Sequence, residues 1–273
     1  MTEIVKQRSQ AAEIAACFVE ARKAAICLPD YPGPVPDTMS QAYAVQDEAI
    51  ALRGGEIGGW KLGRIPPPED KRMGANRLAG PIFQDLIVTA PGDGLASMPV
   101  IADGFAAAEA EFLLRLGTDV LPGRAGSKDL LSLVDRVAVG IEIASSPLPA
   151  INDLGPAVTA SDFGNNHGLL VGQPLDPSAW HSLNSIEVSL AIDGHVVGRA
   201  TTATMLDGPW GALRFLLELA EKRGLALYAG QWISTGAVTG VHRIAPGQRA
   251  DAKFGDLDLA CIAIGANRGL SAA

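Results

Sequence analysis

The stretch "AEAEFLLRLG", residues 108–117, carries two glutamates, Glu109 and Glu111, at the entry to an apolar run. Its period of two predicts a strand, in which successive side chains point to opposite faces. Glu109, Glu111 and Leu113 then share one face, and Ala108, Ala110, Phe112 and Leu114 share the other. The apolar face can pack on a core, which turns the glutamates toward a cleft or cavity. "RVAVGIEIASS" (136–146) has the same two-faced character. Val137, Val139, Ile141 and Ile143 lie on one side, with Ala138, Gly140, Glu142 and Ala144 on the other. A buried, unpaired carboxylate is costly, and neighbouring carboxylates repel. A divalent cation relieves both problems, and oxygen-only ligands favour Mg²⁺ or Mn²⁺ over zinc. The same E-x-E spacing also suits an edge strand whose glutamates face water and pair with lysines, and pattern alone does not bring Glu142 to the other two.

Around this stretch the chain reads as α+β. It has 273 residues, 48% of them apolar and 19% charged, with 31 glycines and 18 prolines. That suits one large domain, or a small and a large one, and excludes a disordered or coiled-coil chain. A net charge of −8 without a basic run argues against nucleic acid. Cys17, Cys27 and Cys261 lack metal-ligand spacing and read as reduced core thiols. The N-terminus has no continuous apolar signal region, and no apolar run is long enough to span a membrane. The expected location is cytoplasmic.

Residues 9–25 show helical spacing at Ile14, Cys17, Phe18 and Ala21. After the proline-rich "CLPDYPGPVPD" (27–37), Thr38 and Gln41 suit a capping box for a second helix with an apolar face of Ala42, Val45, Ala49 and Leu52. Residues 1–55 thus form a helical portion, and 56–273 a mostly β portion. "SIEVSLAIDGHVVG" (185–198) predicts a hairpin turning at Asp193-Gly194. A helix over 209–223 runs from Pro209 to a stop at Gly224, and "RADAKFGDLDLACIAIG" (249–265) predicts another hairpin. The absence of regular βαβ alternation argues against a Rossmann sheet or a TIM barrel.

The order of several segments resembles the 2-keto-4-pentenoate hydratase and 4-oxalocrotonate decarboxylase branch of the fumarylacetoacetate hydrolase superfamily. The pieces are "TMSQAYAVQD" (38–47), "GWKLG" (59–63), the E-x-E pair with Glu142 following Glu111 by 31 positions, and "GQWISTGAVTGVHRIAPGQRADAKFGDLDLACI" (230–262). The resemblance implies a mixed β-roll preceded by helices, and a homo-oligomer that can also join a partner enzyme of its pathway. It implies Mg²⁺ or Mn²⁺ on Glu109, Glu111 and Glu142, where the cation chelates a small 2-oxo acid from aromatic-compound catabolism and stabilises its enolate.

The resemblance also implies that Lys61 faces the active site and assists proton transfer or substrate orientation; by itself, a lysine in an apolar segment also suits a snorkelling strand residue. Arg64 and Arg77 are candidate clamps for a substrate carboxylate, or exposed loop arginines. "DFGNNHGLLVG" (162–172) stands where relatives often carry a serine-containing run, so Asn165, Asn166 and His167 become candidates there, and Thr235 would line the site. The superfamily's hydrolases use a histidine–glutamate pair, and no histidine precedes His167. In "RMGANRLAGPIFQD" (72–85), Leu78 or Ala79 replaces an acidic residue that the hydratases usually carry, with Asp85 a nearby alternative; the decarboxylases tolerate an apolar residue there. The expected function is a metal-dependent hydratase, followed by a decarboxylase, an acylpyruvate hydrolase and a catalytically silent relative.

Overall fold

The computed structural model describes residues 3–92, 95–123 and 129–266. The chain opens with α1 (Glu3–Ala24) and α2 (Met39–Arg53), and the Thr38–Gln41 capping box starts the second of these. β1 (Ile57–Arg64), α3 (Glu69–Met73), β2 (Arg77–Phe83), β3 (Ile87–Thr89), β4 (Ala96–Val100), β5 (Phe105–Leu116) and β6 (Val134–Ser146) follow. The second half contains α4 (Pro156–Ser161), β7 (Asn166–Pro174), β8 (Val188–Ile192), β9 (His195–Ala200), α5 (Gly208–Arg223) and β10 (Trp232–Ser234). β11 (His242–Arg243), β12 (Arg249–Phe254) and β13 (Leu257–Gly265) complete the described chain. None of its helices is long and apolar enough to cross a membrane.

Among the described residues the strands form two sheets. The eight-stranded sheet has the order β2-β1-β10-β5-β6-β7-β3, with β11 also paired to β5. The five-stranded sheet has the order β4-β13-β12-β8-β9. Parallel and antiparallel pairs are mixed, as in β1 with β10 and β5 with β6. This is the expected α+β architecture with curled, mixed sheets. Asp193 and Gly194 both take positive φ (48° and 79°) at the β8–β9 turn, the conformation that a tight hairpin needs.

Strand alternation in β5 and β6 separates two environments. Ala108, Ala110, Phe112, Leu114, Val139, Ile141 and Ile143 enter the main core with residues of the second sheet. Phe112 meets Phe254 edge-on, with ring centroids 5.3 Å apart. The other face is covered from outside: Phe105, Ala107 and Ala144 join a separate cluster with Ile14 and Phe18 of α1 and Val45 and Ala49 of α2. The N-terminal helices therefore shield the face that carries the glutamates.

Two apolar positions expected from spacing fall outside this packing. Cys17 is exposed at the edge of the α1 stripe, so of the three cysteines Cys261 alone is fully a core thiol and Cys27 is half-buried. Leu52 is 54% exposed in the last turn of α2, where the helix outruns the surface it packs against.

β2 also approaches the segment between α4 and β7 closely. A Cβ built on Gly80 would lie 2.0 Å from the Phe163 carbonyl oxygen. Gly80→Ala is expected to cost about 1–3 kcal/mol through overpacking, read as a lower urea midpoint. An unchanged midpoint would show that this contact has room to give.

Candidate metal centre

β5 and β6 are neighbours in register, with Glu109 directly opposite Glu142 and Glu111 opposite Gly140. One carboxylate oxygen from each of Glu109, Glu111 and Glu142 lies within 4.8 Å of the others. All three side chains are buried, so the solvent-facing alternative for the E-x-E pair does not apply. β5 is also an interior strand, between β10 and β6.

Neighbouring strands bring further groups to this face. Lys61 on β1 is in register with Ser234 on β10, and Ser234 with Leu113 on β5, so their side chains share the glutamate face. Lys61 Nζ lies 3.3 Å from Glu142 Oε2, close enough for an ion pair but without hydrogen-bond geometry. Glu111 Oε2 accepts hydrogen bonds from the Ser234 hydroxyl and, at 3.1 Å, from the Gly236 backbone N–H. Asn166 Nδ2 donates to Glu142 Oε1 at 2.7 Å. Ser234 went unrecognised in the sequence, although it directly precedes the TG pair of the C-terminal motif.

The electrostatics are those of an under-neutralised cluster. Burial lifts the Glu109 carboxyl from 4.5 to about 7; Lys61 opposes that rise and Glu142 adds to it. Burial, then Glu142 and Glu109, push Glu111 well above the carboxylate range, with Lys61 and Ser234 offsetting only part. Burial alone would lower the Lys61 ammonium, but Glu142, Glu109 and Glu111 reverse this and hold it above the ordinary lysine value. Glu111 Oε1 and Glu142 Oε2 remain buried without a hydrogen-bond partner. Three hard oxygen donors, with Glu111 Oε1 unpartnered and Glu142 Oε2 facing only the Lys61 ammonium, suit an oxygen-preferring divalent cation.

A cavity of about 630 Å³ opens beside the cluster. Lys61 and Glu109 line it, as do Arg64, Arg77, Asn165 and Thr235. Arg64 is exposed. Arg77 is buried and engages Asp207 at 2.5 Å, so its charge is already partnered. Asn165 is buried with its Oδ1 unpartnered. The Thr235 hydroxyl donates to the Phe112 carbonyl at 2.8 Å.

His167 is not brought to this cavity. Next to Asn166 on β7, it points the other way and packs toward α1, with Nδ1 3.1 Å from Arg22 Nη1. Arginine only donates, so Nδ1 accepts and the ring proton is assigned to Nε2. Burial, then the charges of Arg22 and Arg53, lower the His167 pKa to about 3, so the ring is neutral at physiological pH.

No protein-family model matches the chain. Curated relatives do match. A 4-oxalocrotonate decarboxylase from a Pseudomonas species is 28% identical over 236 residues, covering 84% of this chain and 88% of the relative. A 2-keto-4-pentenoate hydratase from Burkholderia vietnamiensis is 28% identical over 201 residues, covering 72% of this chain and 75% of the relative. Among solved structures, 4-oxalocrotonate decarboxylase from Pseudomonas putida G7, complexed with magnesium and adipate, aligns with a TM-score of 0.76 at 22% identity. That alignment covers 94% of this chain and 98% of the other. The mixed β-roll preceded by helices and the resemblance to the hydratase–decarboxylase branch are both borne out.

The raised carboxyl pKa values set a pH dependence for the metal-free protein. A folded Glu109 that titrates near 7 binds more protons than an unfolded one near 4.5, so its share of stability falls as pH rises through that window. Glu109→Gln is therefore expected to raise the melting temperature of metal-free protein at pH 8, with the gain fading toward pH 4.5. A gain independent of pH would contradict the shifted carboxyl. Replacing Glu109, Glu111 or Glu142 singly with Gln is expected to weaken Mn²⁺ binding by about 100-fold or more in calorimetry. Parent-like affinity in all three variants would remove the site.

Proposed function

We propose, for a chain that belongs to the 2-keto-4-pentenoate hydratase and 4-oxalocrotonate decarboxylase branch of the fumarylacetoacetate hydrolase superfamily, that it is a divalent-cation-dependent lyase acting on a small 2-oxo acid. Decarboxylation of a 4-oxalocrotonate-type substrate is the reaction its cavity fits best, ahead of hydration. The observation that carries this reading is the cavity wall. Among the described residues, the one carboxylate lining it is Glu109, itself a proposed cation ligand. Leu78 lines the wall in the region where the family's hydratases usually carry an acidic residue. Asp85 does not take over, because it is 68% exposed and gives both oxygens to Arg53 at 2.8 Å. Adding water calls for a group that activates or delivers it, whereas losing CO₂ does not, and the apolar Leu78 disfavours a hydrated base at its part of the wall. This reading places decarboxylation ahead of the hydration expected first from the sequence.

In this reading Glu109, Glu111 and Glu142 hold Mg²⁺ or Mn²⁺, the first of which the related decarboxylase structure contains. A cation there supplies positive charge against the negative charge that develops on the 2-oxo acid. Lys61 presents its ammonium to the same cavity. It attracts the anionic substrate and holds a proton for the dienolate whose charge comes to rest on the 2-oxo oxygen when CO₂ departs. Engagement of the carboxylates by a cation weakens their hold on that proton. Asn166 orients Glu142. Arg64, Asn165 and Thr235 bound the substrate space, Asn165 with a carbonyl oxygen that lacks an internal partner. His167 is left out of the chemistry because it faces α1.

Purified protein with Mg²⁺ or Mn²⁺ is expected to release CO₂ from 4-oxalocrotonate and to leave 2-hydroxypenta-2,4-dienoate unhydrated. Hydration of the dienoate without CO₂ release from 4-oxalocrotonate would restore the hydratase ranking, and turnover of neither would sink the lyase reading. Lys61→Ala is expected to lower kcat by about 100-fold or more while Mn²⁺ affinity stays within a few-fold of the parent. Full turnover in that variant would return Lys61 to a packing role.

A further inference from the structure

We propose that Arg22 of α1 is a positioning residue of the metal centre. It staples the two ends of a left-handed turn at residues 163–165 and so holds Asn166 against Glu142. The inference rests on the reading of Glu142 as a cation ligand.

The turn is an unusual piece of backbone. Phe163, Gly164 and Asn165 have φ of 53°, 65° and 66° in succession. Side chains with a Cβ rarely adopt such angles, and they persist where the surroundings over-determine them. Here the surroundings belong to the site. A Cβ built on Gly164 would lie 3.0 Å from Lys61 Cδ, so the middle of the turn rests on the lysine side chain. The turn exits directly into Asn166, which donates to Glu142 Oε1 at 2.7 Å.

One guanidinium grips both ends. Before the turn, Arg22 Nε reaches Asp162 Oδ1 at 2.5 Å, while Nη2 reaches Oδ2 at 2.9 Å and the Asp162 carbonyl at 3.3 Å. After it, Nη1 donates to the Asn166 carbonyl at 3.0 Å and faces His167 Nδ1 at 3.1 Å. Asp162 Oδ2 also accepts from Ser146 Oγ at 2.6 Å, which ties the staple to the end of β6, the strand that carries Glu142. The Arg22 and Asp162 side chains are only 9% and 0% exposed. A buried pair this well hydrogen-bonded is costly to break, and its fork geometry is one that lysine cannot reproduce. His167, a candidate for chemistry by sequence, thereby acquires a structural role as acceptor at the far end of the staple. Arg22 bonds to Asp162 and Asn166, and the influence runs through the Asn166 backbone to its side chain on Glu142.

The test is a double-mutant cycle read by calorimetric titration with Mn²⁺ alone, on full-length parent, Arg22→Lys, Asn166→Ala and the double variant. Arg22→Lys is expected to weaken Mn²⁺ by about 10- to 100-fold, the range for residues that orient a ligand. Asn166→Ala should weaken it similarly, and the double variant should bind within about two-fold of Asn166→Ala, because both changes remove one interaction. Parent-like affinity in Arg22→Lys, or additive losses in the double variant, would overturn the proposal. If Arg22→Lys does not fold, Asp162→Asn replaces it with the same expectations. A parent that binds no Mn²⁺ would remove the metal reading and this inference together, whereas a parent that binds while Arg22→Lys matches it would remove this inference alone.

Discussion

The rest of the structure is arranged around the repulsion between Glu109 and Glu142, placed opposite each other on adjacent strands of a buried sheet face. Like charges in that position oppose sheet formation, and burial raises the cost further. The Lys61 ammonium offsets part of it. Ser234, the Gly236 N–H and Asn166 satisfy other carboxylate oxygens. What remains, an unpartnered Glu111 Oε1, a Glu142 Oε2 without a hydrogen bond and carboxyls pushed above their usual range, is the unmet demand that a divalent cation would fill. In the proposed reading, stability is given up locally in return for a ligand set fixed before any ligand arrives.

A local sacrifice of this kind needs a strong frame. The opposite faces of the same strands sink into the largest apolar cluster among the described residues, and Phe112 locks the first sheet to the second through Phe254. On the glutamate side, α1 and α2 cover Phe105, Ala107 and Ala144, so water is excluded at one end and admitted through the cavity at the other. The N-terminal helices are therefore part of the site's enclosure, and Arg22 links α1 to Asp162 and Asn166 beside Glu142.

The cavity is where the two activities named among the relatives would differ in what they require. Both call for charge stabilisation on a 2-oxo acid, which the three carboxylates of this chain would support through a cation. They differ in whether a further polar group must handle water. Leu78 stands in the wall, and Asp85 is drawn away to Arg53, so neither supplies a carboxylate for that task. Arg77 adds no free charge to the cavity, because Asp207 has already claimed it.

Much of this was legible in the linear sequence, for reasons of periodicity. Alternation along 108–114 and 137–144 separated the core face from the glutamate face, because a strand repeats every two residues whatever it pairs with. The capping box at Thr38 and Gln41 and the Asp193-Gly194 turn were legible because they depend on residues only a few positions apart. Register was not. That Glu142 lies opposite Glu109, that Ser234 reaches Glu111, and that Arg22 spans 140 positions to Asp162 are long-range pairings with no local signature. The same holds for His167, whose composition suggested chemistry but whose side of the strand was set by one step of pleat relative to Asn166. The sequence by itself determined which residues could share a face. Tertiary structure alone decided which faces meet, because strand pairing and helix docking are settled by the packing of whole elements.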